Sequence, residues 1–133
     1  MEIEAFLLCD CATQGQGKLN VLGAFDRIYS PKVPAVHPAC TIAARIRFTS
    51  IEEGSHRVKI NVVDADGNKA GPELEDNITV RVGEGEDSNA RNLILNIHGM
   101  KLENYGDYRI DLAIDGRQEA TLPLSVIEIP KQK

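Results

Sequence analysis

Apolar and polar residues alternate with a period of two through most of this chain. Cys40, Ile42, Ala44, Ile46 and Phe48 interleave with Thr41, Ala43, Arg45, Arg47 and Thr49. That pattern gives a strand one apolar and one mostly polar face, as in a half-buried antiparallel sheet. The same alternation runs through Val58, Ile60 and Val62, through Ile78, Val80 and Val82, and through Leu93, Leu95 and Ile97. Tyr108, Ile110, Leu112 and Ile114 repeat it, and Ala120, Leu122, Leu124 and Val126 close the series. Near the start, Ile3 to Cys11 is apolar on both faces, which predicts a central strand, and Lys18 to Phe25 predicts another. Gly23 inside the latter marks a bulge or a close backbone approach.

Turn residues punctuate these segments at hairpin spacing. Gln14-Gly15-Gln16-Gly17, Glu52-Glu53-Gly54, Asp66-Gly67 and Asp115-Gly116 each follow a strand, and Asp-Gly is the dipeptide a two-residue type I′ hairpin requires. Ser30 to Pro38, Lys69 to Asn77 and Gly83 to Ala90 read as the long irregular stretches. No capped helical pattern occurs. The expected fold is all-β: an immunoglobulin-like antiparallel β-sandwich of seven or eight strands, one domain over residues 1–133. Tyr108 suits the tyrosine that anchors the corner before the penultimate strand of such folds, with Gly106 for the turn and Leu102 as the plug. Pro123 cannot donate to a ladder, so its side of the last strand is expected to face an open edge.

Composition narrows the function more than the fold. The chain has 133 residues, 42% apolar and 26% charged, with no Trp and 5% aromatics. A core of Val, Ile, Leu and Ala follows, without an aromatic platform for bases or sugars. The net charge of −5 opposes nucleic-acid binding, which draws much of its affinity from phosphate neutralisation. No apolar run reaches the roughly 20 residues needed to span a bilayer. The acidic start, Met1 to Asp10, differs from a secretory signal. Three cysteines cannot form a complete disulfide set, which together with that start points to the cytoplasm.

Phe6-Leu7-Leu8-Cys9-Asp10, Gly17 to Asp26, Tyr105-Gly106-Asp107-Tyr108 through Asp115-Gly116, and Leu122-Pro123-Leu124-Ser125-Val126 together resemble a family of small bacterial proteins known as a domain of unknown function. The resemblance covers nearly the whole chain. It implies a small all-β bacterial protein, and it carries over no activity and no functional residue.

Four constellations invite chemistry. Cys9, Cys11, His37 and Cys40 form a zinc-like donor set, but with spacing foreign to zinc modules, so Cys9 and Cys40 read more readily as small core residues. Asp64 and Asp66 alternate at a turn as calcium ligands do, and Asp-Gly is also what a hairpin demands. Arg45, Arg47, Arg57 and Lys59 would share one sheet face if their strands formed a hairpin. Gly83-Glu84-Gly85-Glu86 is Gly-rich but too acidic for phosphate. Asp10 beside the first cysteine pair would raise a thiol pKa and so disfavours a cysteine nucleophile. No nucleophile–base pair or nucleotide fingerprint is evident, so no catalytic, cofactor-binding or metal residue is assigned. The expectation is a non-enzymatic interaction module with a protein partner or a second copy of itself as a homodimer. The alternative is a metal- or small-ligand-binding sandwich using Asp64 and Asp66 or the Cys/His set.

Overall fold

The described residues form nine strands, most of which carry the alternation just described. They are β1 (Glu2–Gly15), β2 (Lys18–Ala24), β3 (Arg27–Ser30), β4 (Ala35–Thr49), β5 (Gly54–Asp64), β6 (Lys69–Val80), β7 (Ser88–Leu102), β8 (Gly106–Ile114) and β9 (Arg117–Glu128). The structure, a computed structural model, describes residues 1–130. A single 3₁₀ turn, Ser50–Glu52, separates β4 from β5. The strands form two sheets, ordered β2-β1-β4-β7 and β3-β9-β8-β5-β6. All pairings are antiparallel except β3 with β9.

One hydrophobic cluster draws on both sheets. The first contributes Phe6, Leu8, Ile42, Ala44, Ile46, Phe48, Leu93 and Ile97. The second contributes Val58, Ile60, Val62, Ile110, Leu112, Leu124 and Val126. These are the apolar positions of each alternating segment, as period-two geometry requires. Tyr108 is buried, and its hydroxyl donates to the Asn104 carbonyl at 2.7 Å and accepts from the Asn104 amide at 3.1 Å. The corner before β8 is thus anchored as expected, with Leu102 fully buried beneath it. Asp115 and Gly116 both have positive φ, 53° and 81°, and close the β8–β9 hairpin between Ile114 and Arg117.

Three expectations need correction. The strand count rises to nine because Arg27–Ser30 pairs with Ser125–Glu128 of β9. So short a strand carries too few positions to show a period. Lys69 to Asn77 is strand rather than loop. It lies in β6 at the edge of its sheet, where one-sided pairing tolerates Pro72 and a charged sequence. Third, β4 and β5 do not pair: the Ser50–Glu52 turn carries the chain from one sheet to the other. Pro123 conforms in a local sense. β9 is an inner strand, but β3 accompanies it only from Ser125 onward, so β9 has no partner on that side at Pro123.

The β1–β2 hairpin makes a further layer. Its inner half, up to Cys9, pairs with β4, whereas its outer half pairs only with β2. A straight strand would carry Gly17 roughly 40 Å from Ala5, at about 3.3 Å per residue. Yet the Gly17 carbonyl accepts a 3.0 Å bond from Arg45, the register partner of Ala5, and a 3.4 Å bond from Asn92. The outer half therefore folds back over the solvent side of the first sheet. The bend falls at Asp10 and Gly23. Gly23 has φ +70°, and a Cβ there would collide with the Asp10 carboxylate. This is the close approach expected of that glycine.

Candidate functional site

A cleft of about 650 Å³ opens at the end of the molecule where the Ser50–Glu52 turn meets the β8–β9 hairpin. Phe48, Glu52, His56, Asp115, Arg117 and Glu119 line it. His56 stands at the start of β5, and Asp115 is brought to it by the β5–β8 register that sets Val58 against Ile114. His56 Nδ1 lies 2.6 Å from Asp115 Oδ2, while Nε2 faces the Glu52 carbonyl oxygen. Its ring stacks on Phe48, with centroids 4.7 Å apart. Both ring nitrogens thus face acceptors, which only the doubly protonated ring satisfies fully. Burial pulls the His56 pKa down, but the Glu52 carbonyl and the Asp115 carboxylate outweigh it and raise it above 6.5. Asp115 is correspondingly lowered by His56 and by the Arg57 amide, which donates to Oδ1 at 2.9 Å.

Glu52 completes the cluster. Its carboxylate accepts from the Thr49 amide and hydroxyl, both at 2.9 Å, and pairs with the Met1 ammonium at 2.9 Å. The Thr49 amide and the Met1 ammonium bring its pKa down to about 2. The cluster ties the 3₁₀ turn, the start of β5 and the hairpin together. Both His56 ring nitrogens, both Asp115 oxygens and Glu52 Oε1 are engaged within it.

The sequence candidates separate in space. Cys40 faces the shared core with Ile42 and Ala44, while Cys9 pairs with Thr41 on the opposite face of the same sheet. Cys9 is buried and donates to the Thr41 carbonyl at 3.4 Å, and Cys11 is exposed on β2's side. His37 packs its ring 5.3 Å from that of Phe25. The four residues do not converge, because the pleat sends neighbouring positions to opposite faces. Burial raises both buried thiols, Cys40 to about 11, as Asp10 also does to a smaller degree. Asp64 Oδ1 accepts from the amides of Asp66 and Asn68, so this carboxylate builds the turn. Among the described residues, no three His, Cys, Asp or Glu side chains gather as a metal site.

The basic strip is divided between the sheets, and most of it is neutralised. Glu4 accepts from Arg45 at 3.0 Å and from Arg47 at 2.8 Å. Lys59 pairs with Glu73 at 2.7 Å, and Lys69 reaches the other Glu73 oxygen. A polar group on the second sheet is likewise satisfied internally: Asp111 accepts from Arg109, Gln118 and Thr121.

What remains unspent is an edge. β7 runs for 15 residues at the border of the first sheet. Its beginning is covered, since Asn89 donates to the Arg81 carbonyl at 2.9 Å and Arg91 to that of Thr79 at 2.8 Å. Its far part is bent at Gly99, with φ +64°, opposite the amide-free Pro38. Between these lies Asn92–His98, a stretch without Asp, Glu, Lys or Arg. The other edges differ: β6 is charged, β3 has four residues, and β2 is bent at Gly23.

Comparison with known proteins adds the fold and the family. A β-glucosidase from Listeria innocua, solved with isofagomine, superposes with a TM-score of 0.52 at 7% identity, over 76% of this chain and 14% of that one. The alkylpurine DNA glycosylase AlkC of Pseudomonas fluorescens gives 0.48 at 7% identity, over 95% of this chain and 30% of that one. An immunoglobulin-like protein from Pseudomonas aeruginosa gives 0.34 at 9% identity, over 90% of both chains. The chain thus spans a small part of the first two, and the first likeness speaks for an all-β fold alone. No curated protein matches the sequence. No helix of the described residues is long and apolar enough to cross a membrane. Residues 4–127 match the profile of DUF6941, and the chain belongs to that family of unknown function.

Proposed function

We propose that the chain is a non-enzymatic interaction module that pairs with a second copy of itself through β7. The observation that carries this reading is the uncharged, unpaired stretch Asn92–His98 on a 15-residue edge strand. Exposed edges of this kind are blunted in monomers by charge, proline or cover, and here those devices stop at either end of the stretch. Antiparallel pairing about a two-fold axis sets the stretch against itself with no like charges opposed, and it extends the four-stranded sheet into one of eight. The cleft supports the non-enzymatic part, because His56 has both nitrogens engaged and holds no free lone pair for base catalysis.

The architecture is read as an immunoglobulin-like sandwich, supported by two sheets around one core and by the Tyr108 corner. The free thiols of Cys9, Cys11 and Cys40 fit a reducing compartment, which supports reading the chain as a bacterial cytoplasmic domain.

Light scattering from low to high micromolar protein tests self-association. The wild type is expected to approach the mass of two chains, and Asn96→Lys, with His98→Lys beside it, to stay at one chain with circular dichroism unchanged. A wild type that keeps the mass of one chain throughout contradicts the reading.

A further inference from the structure

On the solvent side of the first sheet, Cys9 and Ala43 are wholly inaccessible and Thr41 nearly so. These residues alternate with the core positions, so the second sheet does not bury them. The folded-back outer half of the β1–β2 hairpin does. Its pair Ala12 and Val21 is half-buried, whereas Cys11 and Leu22, pointing the other way, are exposed. None of the residues beyond the bend is fully buried, so the cover is packed less tightly than the sheet beneath. It is hinged at Asp10 and Gly23, and at its tip it is tied through one atom, the Gly17 carbonyl, to Arg45 and Asn92.

We infer that residues 11–22 form a hinged strap that opens as one body and gates the solvent face of the first sheet, with Arg45 and Asn92 as its latch. Segments with few buried apolar contacts and exposed hydrogen bonds occupy the low-stability end of local unfolding, and this strap has both properties. Opening leaves the core and the β1–β4 ladder in place. It uncovers Leu7, Cys9, Thr41, Ala43 and Ile94. The device does not rest on pairing through β7, although its latch residue Asn92 begins the Asn92–His98 stretch; Arg45→Ala tests it outside that stretch.

Two buried thiols supply the test. Cys9 lies under the strap, and Cys40 lies in the core. Alkylation by iodoacetamide is followed by mass spectrometry, and each site's rate is divided by its rate in the denatured chain. In Arg45→Ala, and in Asn92→Ala as a second variant, the Cys9-to-Cys40 ratio is expected to rise about tenfold over wild type, as local opening separates from global unfolding. An unchanged ratio overturns the proposal. So does an equal acceleration of both cysteines, which would show that the substitutions loosen the whole molecule.

Discussion

His56 sits between two acceptors, and its protonation has a definite effect on stability. Its folded pKa is raised above the ordinary 6.5 once the Glu52 carbonyl and Asp115 overcome burial. Its contribution is therefore fully present below about pH 6.5 and is lost as pH rises through the higher folded value. The thermal midpoint should fall between about pH 6 and about pH 8, and His56→Gln should flatten that dependence. Glu52 acts at the opposite limb. Its pKa is held at about 2, so its stabilisation is present above 4.5 and fades as pH falls toward that value. Tyr108→Phe removes both bonds to Asn104 and should cost ~1–2 kcal/mol in urea denaturation. The tyrosine was legible in the sequence because its neighbours, Gly106 and Leu102, belong to the same local motif. The His56–Asp115 pair was not. The two residues lie 59 positions apart, and only the β5–β8 register joins them. The one hint was an Asp at a hairpin turn, which the turn alone explains.

Elements were legible where two neighbours and a buried face imposed alternation. β4, β5 and β8 are inner strands with unbroken apolar rows. β6 is an edge strand whose apolar side thins to Ala70, Pro72 and Leu74, so its period dissolves into Lys and Glu. Glu52-Glu53-Gly54 looks like a hairpin turn and instead ends a crossing between sheets. The local difference is the Thr49–Glu52 capping box, which marks a helical turn; read only as a hairpin turn, the segment put Arg45 and Arg57 on one face. Gly23 announced a close approach but not a bend, because direction depends on Asp10 and on the tether at Gly17. Gly23→Ala places a side chain at φ +70° against Asp10 and should destabilise the protein by roughly 1–3 kcal/mol, measured by chemical denaturation.

At the scale of the molecule, charge and edges act in opposite directions. The chain carries −5, so two copies repel at long range, while the proposed contact through Asn92–His98 is neutral. Added salt screens the repulsion and should therefore strengthen pairing, which sedimentation across a salt series would register as a lower dissociation constant. An interface held by ion pairs would weaken instead. The most direct measurement is amide hydrogen exchange across Asn92–His98 at low and high protein concentration. In a lone chain, the amides of this stretch that do not bond to β4 point to solvent and exchange quickly. The account predicts that these amides, and few others, gain protection as concentration rises. Exchange in this stretch that stays equally fast at every concentration would contradict it.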